Sequence, residues 1–161
     1  MAARSMSIRN WVLVHESRYG YQNQSDHQEQ QGADMAKIVI VDDEPDLRAL
    51  IRMSLEINNH EFFEACDAQT GLQLIESVDP DLILLDVMMP GEINGFILCD
   101  ILKSSSKFEN TPIIFITGAD SDEDRITGKL SGANNYLIKP FQPQELVDLS
   151  EALLKKKKPA F

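Results

Sequence analysis

The sequence predicts an α/β fold built on a doubly wound sheet of five parallel strands. Three observations lead to this prediction. Several short segments are apolar at every position, which is typical of strands covered on both faces of a parallel sheet. Segments with helical spacing of apolar residues alternate with these strands, which implies right-handed βα crossovers. Acidic or polar residues follow the strands directly, at the sheet edge where such folds bind ligands.

The first two βα units are predicted from residues 38 to 80. Residues 38–41 form a continuous apolar run, and residues 61–65 are a weaker strand candidate. A helical stripe follows each of them, with Pro45 where a first-turn proline is tolerated and Asp79-Pro80 as a stop signal. The stripes consist of Leu47, Leu50, Ile51 and Leu55, and of Leu72, Ile75 and Val78.

The last three βα units are predicted in the same way. The strands are residues 82–85, 113–116 and, less distinctly, 135–138. The helices are residues 96–103, residues 121–130, and a segment marked by Leu146, Leu149 and Leu153. Ser121 is a plausible N-cap with acidic residues in the first turn after it, whereas Gly128 weakens this helix.

Residues 1–34 differ from the rest of the chain. They contain five Gln and no sustained periodicity, which predicts a disordered N-terminal extension. Their longest apolar run, residues 11–14, is too short for a signal peptide. Translation beginning at Met35 is an alternative that the sequence leaves open. Residues 35–161 are predicted to form one domain.

The charge of the chain bears on its partners. The formal net charge is −11, and −10 of it falls in residues 35–161, which disfavours nucleic acid as a direct partner. No apolar run approaches the roughly 20 residues of a membrane span, so no membrane association is expected. Cys66 and Cys99 are interpreted as reduced core residues of a cytoplasmic protein.

Complementary groups follow four of the predicted strands. They are Asp42-Asp43-Glu44, Asp86, Thr117-Gly118 and Lys139-Pro140-Phe141. Each group alone is common in turns, but the fold brings all four to one edge of the sheet. Three crowded carboxylates cannot all stay ionised without positive charge nearby. Lys139 supplies part of that positive charge. A divalent cation would supply the remainder, and hard carboxylate oxygens favour Mg²⁺.

Four motifs resemble the receiver domain of bacterial response regulators, the CheY-like family. They begin at Ile38, Leu84, Ile116 and Gly132 and read IVIVDDEP, LLDVMMPG, ITG and GANNYLIKPF. The resemblance covers residues 37–155, three quarters of the chain. It implies the (βα)5 flavodoxin-like fold with strand order 2-1-3-4-5, and the role of a phosphoacceptor in two-component or phosphorelay signalling rather than of an enzyme.

The resemblance also implies roles for individual residues. Asp86 would accept the phosphoryl group from a phosphohistidine donor. Asp43, Asp86 and the backbone carbonyl of Met88 would bind Mg²⁺, with Asp42 acting through water. Lys139 would pair with a phosphoryl oxygen.

Further positions correspond to the family's switch. The Thr117 hydroxyl would hydrogen-bond a phosphoryl oxygen, and Tyr136 occupies the switch-aromatic position. In the family this ring turns inward and reshapes the face made by the fourth helix, the fifth strand and the fifth helix. The bond between Lys139 and Pro140 is expected to be cis.

The sequence departs from the family pattern beside the phosphoacceptor. The usual Met-Pro-Gly-Met-Asp-Gly is here Met-Pro-Gly-Glu-Ile-Asn-Gly from Met89 to Gly95, one residue longer. Gly118 replaces a more usual Ala. Met88 and Ala119 stand at the two positions that tune phosphoryl lifetime in the family. Neither side chain can orient a water molecule, which predicts slow self-hydrolysis.

The predicted output is binding to another protein, as in a single-domain receiver. The partners would be a histidine kinase or histidine phosphotransfer protein and an unknown downstream protein, with the chain a monomer or a phosphorylation-dependent dimer. Leu47, Leu50 and Ile51 mark the face where such domains usually dock a histidine-bearing bundle. Two alternatives remain open: a Mg²⁺-dependent aspartyl-phosphate phosphatase, which usually has an acid where Met88 stands, and a flavodoxin-like cofactor binder, whose phosphate Asp42-Asp43-Glu44 would repel.

Overall fold

The computed structural model describes residues 35–118 and 132–157. Within these ranges, strands and helices alternate along the chain. The predicted helix at residues 121–130, Ala119 and the predicted N-terminal extension lie outside the described residues. The strands are β1 (Lys37–Val41), β2 (Glu61–Ala65), β3 (Leu82–Leu85), β4 (Ile113–Thr117) and β5 (Asn135–Ile138). The helices are α1 (Pro45–Leu55), α2 (Ala68–Val78), α3 (Gly95–Lys103) and α4 (Pro143–Lys157), with a short 3-10 turn at Glu56–Asn58.

The five strands form one sheet with the order β2-β1-β3-β4-β5. All four neighbouring pairs are parallel, so the predicted topology is confirmed. The switch point lies between β1 and β3, where Val41 pairs with Leu85. The residues that follow these two strands, beginning with Asp42 and Asp86, are therefore adjacent at the carboxyl edge of the sheet.

The sheet is buried on both faces, which explains the continuous apolar runs. On one face, Val39, Val41, Ile83 and Leu85 pack with residues of α2 and α3. On the other face, Ile38, Ile40, Leu82 and Leu84 pack with residues of α1 and α4. Because strand side chains alternate between faces, a strand covered on both sides needs an apolar residue at every position.

Local signals in the sequence account for the helix boundaries. Pro45 begins α1, where its missing N–H costs no helical hydrogen bond. The side chain of Asp67 caps α2 by accepting a hydrogen bond from the Thr70 N–H at 2.7 Å. Asn94 caps α3 in the same way through the Ile97 N–H at 3.0 Å. Helix α2 ends at Val78, and the next residue, Asp79, adopts a left-handed conformation with φ 54° before Pro80.

Two predictions from the sequence are corrected by the fold. Cys99 is buried as predicted, and burial raises the pKa of its thiol to about 11. Cys66, in contrast, is exposed, because it follows the last residue of β2 and lies outside the sheet. Ile51 was predicted to belong to a docking face, but it is 1% exposed and packs in the core beneath α1. Helical periodicity turns Ile51 toward the sheet, so it is not available to a partner.

None of the helices in the described part of the chain combines the length and the apolar character that crossing a membrane requires.

Candidate functional site

Three carboxylates converge where β1 and β3 end. One oxygen from each of Asp42, Asp43 and Asp86 lies within 4.8 Å of the other two. Asp42 and Asp86 are buried, with 1% and 3% of their surface exposed, whereas Asp43 is exposed. The cluster therefore has two buried members and one that opens to solvent.

Lys139, which follows β5, reaches across to these carboxylates. Its Nζ lies 3.2 Å from Asp42 Oδ2 and 3.5 Å from Asp86 Oδ2. It also lies 3.3 Å from Glu44 Oε1. The peptide bond between Lys139 and Pro140 is cis, as the resemblance implied. One lysine side chain thus connects three of the four groups that were predicted from separate strand ends.

Burial and mutual repulsion shift the ionisation of the cluster. Burial, and then the charge of Asp42, raises the pKa of Asp86 to about 6. Burial likewise raises the pKa of Asp42, although the Glu44 N–H and Lys139 partly offset it. For Lys139, partial burial lowers the pKa, but the carboxylates of Asp42 and Asp86 outweigh it and the net pKa is raised. These shifts show that one lysine does not fully compensate two buried carboxylates.

Backbone hydrogen bonds hold the two buried acids in place. The Asp42 N–H donates to the Ala65 carbonyl at 3.1 Å, and the Asp86 N–H donates to the Val41 carbonyl at 2.8 Å. Each bond continues the parallel ladder one step beyond a strand. The carboxylates themselves accept from the N–H two residues further along: Asp42 from Glu44 at 2.8 Å and Asp86 from Met88 at 3.2 Å. Both side chains are therefore oriented by their own loops.

The remaining predicted residues lie on the strands beside this cluster or in its loop. Thr117 is fully buried at the end of β4, and its carbonyl accepts from the Lys139 N–H at 2.9 Å. Tyr136 is half-buried on β5, with its ring centroid 5.6 Å from that of Phe115 in an edge-to-face arrangement. Met88 follows Asp86 by two residues and is 67% exposed.

The backbone of the Asp86 loop packs directly against the start of α3. The Gly95 N–H donates to the Val87 carbonyl at 3.0 Å. A Cβ on Gly95 would collide with the Asp86 carbonyl oxygen and would lie 2.8 Å from the Val87 Cα. Only glycine permits this approach, so the loop with its one extra residue still returns to the backbone of Asp86 and Val87 at Gly95.

Two residues of the site were not predicted from the sequence as site residues. Glu44 was noted as a strand-end acid, but its ion pair with Lys139 depends on a contact across 95 positions of the chain. Arg48 donates from Nη1 to the Asp42 carbonyl at 2.7 Å. The sequence offered one signal for Arg48: it is a cation that lies four residues after Glu44, near the start of the helix that follows the acidic loop.

The donor set suits a hard divalent cation. Its three candidate ligands are all carboxylates, and their oxygens are close enough to share one ion. Carboxylate oxygen is the ligand type that Mg²⁺ and Ca²⁺ prefer, and Mg²⁺ is usually bound by one or two carboxylates with water. A divalent cation bound there would place positive charge beside Asp86 and so oppose the rise of its pKa.

Comparisons with known proteins agree with this geometry. A family model described as the response regulator receiver domain matches residues 38–151. The regulatory protein VanR of Enterococcus faecium is 37% identical over 122 residues, which are 76% of this chain and 51% of VanR. The response regulator MprA of Mycobacterium avium (strain 104) is 38% identical over 123 residues, which are 76% of this chain and 53% of MprA. The chain spans about half the length of the curated relatives it matches.

Solved structures of similar chains have the same fold. The chemotaxis protein CheY4 of Vibrio cholerae superimposes with a TM-score of 0.69 at 31% identity, over 74% of this chain and 98% of CheY4. The receiver domain of the Francisella response regulator 1452 gives a TM-score of 0.70 at 34% identity, over 76% of this chain and 99% of that domain.

Proposed function

Because the chain belongs to the response regulator receiver domain family, we propose that Asp86 accepts a phosphoryl group from a histidine kinase or histidine phosphotransfer protein, in a reaction that requires Mg²⁺. One observation supports this most strongly. Two buried carboxylates, an exposed third and the Lys139 ammonium meet at the carboxyl edge of the sheet. Such a cluster can hold a divalent cation and a phosphoryl group side by side.

Asp86 acts as the nucleophile in this proposal. One of its carboxylate oxygens forms a bond to phosphorus while the bond between phosphorus and the donor's imidazole nitrogen breaks. Asp43, Asp86 and the backbone carbonyl of Met88 would hold Mg²⁺, with Asp42 completing the acidic cluster. The bound cation supplies charge neutralisation for the phosphoryl oxygens, the main catalytic requirement in phosphoryl transfer. The chain thus undergoes covalent modification without turning over a separate substrate.

Lys139 and Thr117 position the phosphoryl group in the proposal. The Lys139 Nζ already lies within 3.5 Å of an Asp86 oxygen, so a small shift would let it donate to a phosphoryl oxygen. Thr117, at the end of the adjacent strand, would supply a hydroxyl hydrogen bond. Movement of Thr117 would then be passed to Tyr136, whose partly buried ring packs on Phe115. This is a two-state element biased by a local change of charge.

The output that we propose is binding to another protein. The described surface is acidic around the site, which does not suit the phosphate backbone of a nucleic acid. Residues 35–161 would act as the receiver domain. The protein would act in the cytoplasm, together with its phosphohistidine donor. The relative RpaA of Synechocystis is named as a DNA-binding regulator, and that property belongs to a protein of which this chain spans 50%.

The proposal is tested by incubating the purified chain with acetyl phosphate and measuring its intact mass. We expect the mass of one phosphoryl group to be added in the presence of Mg²⁺ and little to be added in the presence of EDTA. Peptide mapping should place the group on the segment that contains Asp86. Incorporation on another segment, or equal incorporation with EDTA, would contradict the proposal.

A second prediction concerns the lifetime of the phosphoryl group. Met88 is 67% exposed and its thioether is only a weak acceptor, so it leaves an attacking water unoriented. We expect slow loss of the group from the isolated protein and several-fold faster loss from Met88→Asn, because an amide can hydrogen-bond that water. Met53→Asn is the control, since Met53 is an exposed methionine on α1. Equal decay of the Met88→Asn variant and the wild type would refute the role of Met88.

A further inference from the structure

Arg48 bridges the loop that carries Asp42 and Asp43 to the neighbouring strand. Its Nη1 donates to the backbone carbonyl of Asp42 at 2.7 Å, and its Nε donates to Glu64 Oε2 at 3.1 Å. The Arg48 side chain is 16% exposed, so most of it is removed from solvent. The planar guanidinium suits two acceptors at fixed angles.

The carbonyl that Arg48 binds belongs to the peptide unit between Asp42 and Asp43. The peptide unit before it, between Val41 and Asp42, is also held: the Asp42 N–H donates to the Ala65 carbonyl at 3.1 Å. Glu64 and Ala65, the residues that make these two contacts, are the last two residues of β2. Hydrogen bonds that lead to β2 thus hold the peptide units on both sides of the Asp42 Cα, and Arg48 supplies one of them.

We propose that Arg48 is a positioning residue for the divalent cation site: it fixes the peptide unit that joins Asp42 to Asp43 and so pre-orients their carboxylates. The inference rests on the proposed function for the identity of the cation. Arg48 contacts the backbone of the site and acts on the cation only through Asp42 and Asp43.

Charge and orientation predict opposite results when Arg48 is removed. Loss of a positive side chain near the cluster, by charge alone, would strengthen the binding of a cation. Loss of the hydrogen bond to the Asp42 carbonyl would free the peptide unit and weaken that binding. The sign of the change in Mg²⁺ affinity therefore separates a positioning role from a purely electrostatic one.

Arg52 provides a matched control. It lies one turn further along α1, and its Nη1 reaches the same Glu64 carboxylate, at 3.6 Å from Oε1. Its Nε also pairs with Glu56 at 3.3 Å, and its side chain is 53% exposed. Arg52→Ala therefore removes a similar charge and a contact to Glu64, while the hydrogen bond to the Asp42 carbonyl remains.

The experiment measures Mg²⁺ binding by calorimetry, without a phosphoryl donor, for the wild type, Arg48→Ala, Arg48→Lys and Arg52→Ala. We expect Arg48→Ala to raise the Kd for Mg²⁺ about tenfold, as is usual when a group that orients metal ligands is removed. Arg48→Lys keeps the charge and should recover at most part of the affinity. Arg52→Ala should bind as the wild type does. Thermal melting in EDTA accompanies each titration.

Labelling with acetyl phosphate supplies the second readout. For Arg48→Ala, the Mg²⁺ concentration that gives half-maximal labelling should rise by the same factor as Kd, with the rate at saturating Mg²⁺ close to that of the wild type. Should Arg48→Ala fail to fold, Arg48→Lys is judged by the same criteria.

Three outcomes would overturn the inference: unchanged or tighter Mg²⁺ binding by the Arg48 variants, full recovery by Arg48→Lys, or an equal loss in Arg52→Ala. If the wild type binds Mg²⁺ but gains no phosphoryl group, the proposed function fails while the calorimetric comparison still tests Arg48. If the wild type is labelled and the Arg48 variants bind normally, only this inference fails.

Discussion

Replacing Asp86 with asparagine is expected to abolish phosphoryl incorporation and to stabilise the chain when no metal is present. The first effect follows because an amide oxygen lacks the charge to attack phosphorus, and Asp43, although close by, is oriented by a different loop. The second effect follows because Asp86 is buried beside Asp42. A neutral side chain of the same size removes the repulsion and most of the cost of burying a charge.

The size and pH dependence of the stabilisation follow from the pKa of Asp86. Its pKa rises from an ordinary value of 3.8 to about 6 in the folded chain. A carboxyl group whose pKa is raised by folding reduces stability when it is ionised, and this cost grows from about pH 4 to pH 6. This cost already includes the attraction of Lys139, and the asparagine amide must still be buried in its place, so we expect a gain of about 1–2 kcal/mol at pH 7. The gain should vanish below pH 4.

Chemical denaturation in EDTA at pH 7 and at pH 3.5 measures this effect, and intact mass measures the loss of labelling. Asp46→Asn is the control, because Asp46 is an exposed acid in the first turn of α1. It should keep full labelling, and it should lose a few tenths of a kcal/mol through the helix dipole. Phosphoryl incorporation by Asp86→Asn, or a variant no more stable than the wild type at pH 7, would contradict the expectation.

Gly95→Ala is expected to destabilise the chain by about 2–4 kcal/mol and to impair the site. The added Cβ would meet backbone atoms, the carbonyl group of Asp86 and the Cα of Val87, which cannot move aside as a flexible side chain can. Helix propensity favours alanine over glycine, so the loss would arise from the close approach alone. Displacement of α3 would also shift the backbone between Asp86 and Met88, and the Kd for Mg²⁺ should increase.

Gly118→Ala is the matched control for this steric argument. Among the residues that the structure describes, no atom lies within 4 Å of the position that its Cβ would occupy, and the family resemblance implies that alanine is usual there. Denaturation midpoints and Mg²⁺ titrations of the two variants test the prediction directly. Equal stability of Gly95→Ala and Gly118→Ala would show that α3 can move away from the Asp86 loop at little cost.

Most of the fold could be predicted from local patterns. The continuous apolar run at residues 82–85 predicts a strand covered on both faces, and β3 is buried at all of its positions. The stripe of Leu72, Ile75 and Val78 and the stop at Asp79-Pro80 predict α2 to its last residue. These elements are predictable because the signals, apolar spacing and terminal residues, lie within the element itself.

The acidic site was predictable for a related reason. In a parallel sheet every strand ends at the same edge, so Asp42, Asp86 and Lys139 are predicted to share that edge once the strands are identified. The residue types then limit the chemistry to carboxylates, a lysine and a hard cation. The roles of Thr117, Tyr136 and the Met88 carbonyl came from the family resemblance and stay predictions.

Contacts between elements account for what the sequence left undetermined. Glu44 pairs with Lys139, and Arg48 joins the Asp42 carbonyl to Glu64, although neither pairing has a periodic signal. The exposure of Cys66 and the burial of Ile51 depend on where each element ends and how it rotates against the sheet. The amino-acid sequence by itself determined the strands, their common edge and the acids on it, because these depend on local spacing. Only the tertiary structure decided which side chains hold those acids in place, because that depends on distances between residues far apart in the chain.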